Sequence, residues 1–227
     1  MRIIKLICGG SKVKKKIIVS VLLLLFISST SLGYYKQETL EQYLAYRIKY
    51  IHSVAENTDL NLDRQRVKEY VEAIIYWGDY YSRQLEVDLD PLLITAILET
   101  ETNFVSRGDY DKGKKMGIAR LEVERAKWIA DQLNLTYNKW RLLDATDFGI
   151  RFTVYYLGLA CKTYNNDLHK AVYAYDLGLN NVNLHNKDRL TSQYLFKVLG
   201  RYKYYQNKLN STPEGEDYFQ YLFKKLY

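Results

Sequence analysis

Proline, cysteine and histidine are all scarce in this chain of 227 residues: two, two and three respectively. Few prolines and few turn clusters argue against a β-sandwich or barrel. The long stretches of apolar residues at helical spacing point to an all-α protein. Of the two cysteines, Cys8 lies in a basic leader, which leaves Cys161 alone in the rest of the chain, so no internal disulfide is expected there. The flanking pattern Leu157 to Tyr164 is helical and apolar, so Cys161 reads as a buried structural thiol. The histidines, His52, His169 and His185, are scattered, without an HExxH pair or cysteines at metal spacing. No zinc site is indicated, and no cofactor is expected. There is no GxSxG elbow. Gly108 to Lys115, GDYDKGKK, comes near a P-loop, but it ends in Lys where Ser or Thr is needed and follows a helical segment rather than a strand.

The net charge of +7 is concentrated at one end. Residues 1–33 hold Arg2, Lys5, Lys12, Lys14, Lys15 and Lys16 and no acidic residue; taking these six from 33 basic residues leaves 27 against 26 acidic ones. That near-balance gives no basic face for nucleic acid, and none is expected as a partner. The leader itself has the order of an export signal. A lysine-rich stretch precedes the apolar run Ile17 to Ile27, broken only by Ser20, and Ser31-Leu32-Gly33 puts small residues before Tyr34. The apolar run is shorter than the about 20 residues of a membrane span. Residues 1–33 are therefore expected to be a cleaved signal peptide, and the protein periplasmic or in the cell envelope. An uncleaved membrane anchor is the alternative, because Ser28 to Leu32 can extend the span. Oligomeric state is not legible.

Helices are expected over Gln37 to Asn57 and Asp63 to Glu86, forming an N-terminal helical extension (34–87). Asp90-Pro91 is a strong helix start, with a capping carboxylate and a proline suited to the first helical position. The helix it opens, Leu92 to Leu98, is apolar on most faces and should be buried. Val105 to Met116 reads as a loop. Glu122 to Leu135, Asp144 to Tyr164, Leu168 to Asp176, Thr191 to Leu209 and a C-terminal helix within 211–227 follow.

Glu101 stands out because it breaks a pattern. Its neighbours on one helical face are Ile94, Ile97, Leu98 and Phe104, so a carboxyl sits where the stripe calls for an apolar residue. Desolvation raises a carboxyl's pKa, and the nearby helix C-terminus disfavours a negative charge. A carboxyl protonated near neutral pH can act as a general acid. The plainer alternative is a last-turn residue bent toward solvent. Glu99, two residues away, points to another face and cannot form a dyad with it. The 23 tyrosines could supply sugar-stacking surfaces, although drift toward Tyr, Ile, Lys and Asn together also accounts for them.

Four segments, in order, resemble the catalytic domain of soluble lytic transglycosylases, relatives of goose-type lysozyme. They are Asp90-Pro91 through Glu101-Thr102-Asn103-Phe104; Met116-Gly117-Ile118-Ala119-Arg120-Leu121 with Ala126; Leu143-Asp144 through Tyr156-Leu157; and Ala174-Tyr175-Asp176-Leu177-Gly178, followed by a closing helix over Tyr194 to Tyr202. The resemblance implies a lysozyme-like helical domain over 88–210. It also implies cleavage of the β-1,4 bond between N-acetylmuramic acid and N-acetylglucosamine in peptidoglycan glycan strands, leaving a 1,6-anhydro end. Glu101 falls on the family's catalytic glutamate. Thr102, Arg120, Tyr175 and Asp176 are candidate substrate contacts. Arg120 stands where the family has glutamine, and Asp176 where it has asparagine. Glu122 is a candidate second carboxylate, which keeps a hydrolytic muramidase open. A non-catalytic glycan-binding envelope protein is the reading from another class.

Overall fold

The computed structural model describes residues 39–52, 62–182 and 193–211. The chain divides into two compact units, 1–41 and 42–227; of the first, only the start of one helix, 39–41, is described. The leader and the helix expected within 211–227 lie outside these residues. Among them, no helix is long and apolar enough to cross a membrane.

The described part is helical: α1 (39–52), α2 (Arg64–Leu85), α3 (Pro91–Thr102), α4 (Val123–Gln132), α5 (Lys139–Leu143), α6 (Ile150–Thr163), α7 (Leu168–Leu177) and α8 (Gln193–Ser211). Aspartates start three of them. Asp63 accepts from the Arg66 amide at 2.7 Å, Asp90 from the Leu92 amide at 2.8 Å, and Asp167 from the Lys170 amide at 3.1 Å. Each satisfies an amide that the first turn leaves without a helical partner.

Helix α3 is the centre of the fold. Every residue from Leu92 to Glu99 is buried, as its all-round apolar sequence requires. It packs against α8 and α2, and α2 also lies along α6. Gly158 makes that last approach feasible, since a Cβ there would come within 2.6 Å of Leu85 Cδ1. Tyr202 of α8 donates to the second oxygen of Asp90 at 2.7 Å, so one aspartate caps α3 and anchors α8.

Two elements differ from the sequence expectation. Within and just after the stretch expected as loop, Lys115–Met116 pairs antiparallel with Leu121–Glu122 (β1 and β2), and Tyr110 bridges to Lys115. Strands of two residues carry no readable alternation. The helix expected from Asp144 begins as a π-helix, Ala145–Gly149, before continuing as α6. Gly149 lies against the hairpin there, where a Cβ would sit 2.9 Å from Ile118 Cγ2. Helix α5 was not anticipated at all.

Candidate active site

Glu101 is the penultimate residue of α3. The helix stops one residue later because Asn103 and then Phe104 turn left-handed, at φ 52° and 65°. Asparagine tolerates that region; a phenylalanine seldom occupies it. Phe104 is wholly buried, and that packing holds it in place. The turn leaves the Glu101 carboxyl at the blunt end of a buried helix, itself only partly exposed. Burial pushes its pKa up from 4.5 to about 7. The Tyr194 hydroxyl and the Arg120 charge pull it back, Asp176 raises it further, and Lys115 lowers it.

The surroundings come from three other elements. The first is the hairpin. Gly117 turns it at φ 77°, and a Cβ at that position would lie 2.7 Å from the Leu142 carbonyl oxygen. Arg120 closes the turn at φ 45°. Its Nη2 lies 3.2 Å from both oxygens of Asp111, and its guanidinium is 5.4 Å from the centre of the Tyr110 ring. Lys115 lies 3.7 Å from the same aspartate.

The second element is the C-terminal turn of α7, which carries Tyr175 and Asp176. Arg125 of α4 holds this turn by its exposed carbonyls. It donates to the Tyr175 carbonyl at 2.8 Å and the Asp176 carbonyl at 3.4 Å, and lies 4.8 Å from the centre of the Tyr156 ring. A cation there also suits the negative end of the helix. Asp176 itself is partly buried, and burial raises its pKa, opposed by Lys115 and Arg125 and reinforced by Glu122.

The third element is α8, which brings Tyr194. The hydroxyls of Tyr175 and Tyr194 are both buried without a hydrogen bond of full geometry. Both are pushed well above the ordinary phenol value by burial and by the Glu101 charge. Thr153 lies near the Tyr175 hydroxyl and Glu101 near that of Tyr194, close enough to bias titration. A buried hydroxyl without a partner costs about 1–3 kcal/mol, and such groups are tolerated where a ligand can meet them.

Glu101, Arg120, Tyr175 and Asp176 therefore come together around one carboxyl. Thr102 differs from expectation. Its side chain is buried and its hydroxyl donates to the Ile118 carbonyl, so it ties α3 to the hairpin rather than facing a ligand. Glu122, the candidate second carboxylate, is half exposed and lies 3.8 Å from Arg125 Nη2. Glu99 is buried on the opposite side of α3, where Arg47 and Arg201 meet one of its oxygens at 3.1 and 2.8 Å. Tyr194, Lys115 and Arg125 went unrecognised as site residues. Tyr194 had one signal, as the first residue of the closing-helix match. Arg125, beside the Ala126 of the second motif, had none.

A carboxyl half protonated at neutral pH, flanked by hydroxyls and a guanidinium, can give a proton to a bridging oxygen and take one from a hydroxyl. Among the described residues, no group of three or more His, Cys, Asp or Glu is placed to hold a metal. In comparison with known families, the model described as the transglycosylase SLT domain matches residues 81–194, just over half of the chain, which takes in α3, the hairpin, α7 and the first two residues of α8. Neither the comparison with curated proteins nor that with solved structures gave a match.

Proposed function

Because the chain belongs to the transglycosylase SLT domain family, whose action is on peptidoglycan, we propose that it is a lytic transglycosylase with Glu101 as its single acid/base. In this reading it cleaves the β-1,4 bond between N-acetylmuramic acid and N-acetylglucosamine. The observation that carries the reading is the Glu101 carboxyl, raised to about 7 by burial and ringed by Tyr175, Tyr194, Arg120 and Asp176. Glycosidases ordinarily use two carboxyls. One suffices when the substrate's own N-acetyl oxygen attacks the anomeric carbon while Glu101 protonates the leaving oxygen. Glu101, now a carboxylate, then takes the proton of the muramic 6-hydroxyl as that oxygen bonds to the anomeric carbon, the bond to the N-acetyl oxygen breaks, and the anhydro ring closes. The two buried tyrosine hydroxyls are suited to hydrogen-bond the sugar, which meets their unmet capacity. Arg120, fixed by Asp111 and Tyr110, offers its remaining donors to carbonyl or carboxylate groups of the strand.

Export belongs to the same reading, since the substrate lies outside the cytoplasm. The basic leader and the Ser31-Leu32-Gly33 stretch support it. The test is a digest of purified sacculi with the protein, its products read by mass spectrometry. Anhydro-muramic ends support the reading. Binding to sacculi without any product would mark a glycan-binding protein instead.

A further inference from the structure

Three carboxylates other than Glu101 lie around the site, and two are engaged. Asp111 faces Arg120 and Lys115. Glu122 is half exposed and near Arg125. Asp176 alone is partly buried with no hydrogen bond or ion pair to its carboxylate among the described residues. It is nonetheless close enough to Glu101 for its charge to raise that group's pKa. Its backbone is fixed, because Arg125 grips its carbonyl and that of Tyr175. In glycosidases that use two carboxyls, one protonates the leaving oxygen and the other can activate water.

From this juxtaposition we infer a second activity: Asp176 acts as a general base that delivers water to the anomeric carbon, so the enzyme also hydrolyses glycan strands. The inference rests on Glu101 being the acid, as proposed above. The two reactions share their first half, in which Glu101 gives its proton to the leaving oxygen, the bond from that oxygen to the anomeric carbon breaks, and the N-acetyl oxygen takes its place. They part at the second half. In the hydrolytic branch a water oxygen bonds to the anomeric carbon, the bond to the N-acetyl oxygen breaks, and the water's proton passes to Asp176. Solvent then takes that proton from Asp176 and restores the one on Glu101. One water is consumed, and the product is a free reducing end instead of an anhydro ring.

The charged and titratable groups facing Asp176 are Lys115 and Glu122 of the hairpin, Arg125 of α4, Glu101 of α3 and Tyr194 of α8. Burial raises its pKa from the ordinary aspartate value and Glu122 adds to this, while Lys115 and Arg125 oppose them.

The experiment is a digest of purified sacculi by the full-length protein and by Asp176→Asn. The fraction of reducing ends, one water heavier than anhydro ends and convertible by borohydride, is the readout. The wild type should yield both kinds of end, and Asp176→Asn should lower the reducing fraction by about tenfold or more. The reducing fraction of the wild type should also fall on acidification as Asp176 takes a proton, a result independent of any substitution. Anhydro ends alone from the wild type would overturn the inference and leave the transglycosylase reading intact. So would an unchanged ratio in Asp176→Asn. No product of either kind from the wild type would overturn both.

Discussion

Near pH 7 the Glu101 carboxyl is divided between its two forms, because burial disfavours the charge more than Arg120 and Lys115 favour it. Two outcomes follow from that single residue. Turnover should decline as pH rises through about 7, since the general acid is then lost; a pH–rate profile checks this. Stability should change in the same window. The folded pKa lies above the unfolded one, so the native state binds the extra proton between them, and stability falls as pH rises from about 4.5 to about 7. Glu101→Gln removes that penalty. It should raise stability at pH 8 by about 2 kcal/mol, after allowance for solvent reaching the carboxyl, and change little at pH 4. Thermal melts at both pH values test it; equal shifts at the two would show that the carboxyl is not desolvated. The sequence exposed Glu101 because a carboxyl stood in an apolar stripe. It could not expose Tyr194 or Arg125, which reach the site only through the packing of α8 and α4. Nor could it tell that the Thr102 hydroxyl turns to the Ile118 carbonyl.

The elements that shape the site are held by single residues with little freedom. Gly117→Ala would put a Cβ 2.7 Å from a backbone oxygen, at a φ of 77° that L side chains rarely adopt. The hairpin must then shift, and with it Arg120. A loss of about 1–3 kcal/mol in stability, together with reduced turnover, is expected from denaturant melts and sacculus digests. Arg125→Ala should act more on function than on folding. It releases the last turn of α7, and with it Tyr175 and Asp176. Arg125→Lys should restore little, because one ammonium cannot span both carbonyls as the guanidinium does. Recovery of full turnover in the lysine variant would show that only the charge matters. Helices were legible at this scale because apolar spacing and the aspartates at 63, 90 and 167 mark where they lie and start. The two-residue strands, the π-helical turn and α5 were not, since each is too short to carry a period and is set by contacts with Leu142, Ile118 and Asp144.

Across the whole molecule, α3 is fixed from its far side as well. Arg47 of α1 and Arg201 of α8 converge on buried Glu99, Arg201 also donates to the Thr100 hydroxyl at 2.8 Å, and Arg47 lies over the Tyr204 and Tyr205 rings. This cluster joins three helices that are distant in sequence, and α8 carries Tyr194 to the site. Glu99→Ala leaves two arginines facing a buried gap and should cost about 3–5 kcal/mol. Its pH–rate profile should keep the same descending limb, because the cluster lies on the opposite side of α3 from Glu101. The all-α class and the match to the SLT family could be read from the sequence through four segments in order. The buried cluster could not, since Glu99 had no visible partner until α1 and α8 were in place. The claim on which the whole account depends is that Glu101 transfers the proton. The direct measurement is a sacculus digest with Glu101→Gln beside the wild type, both shown to be folded and to bind sacculi equally. The account predicts that anhydro product appears at least about 100-fold more slowly in the variant, with binding retained. Anhydro ends released by Glu101→Gln at the wild-type rate would contradict it.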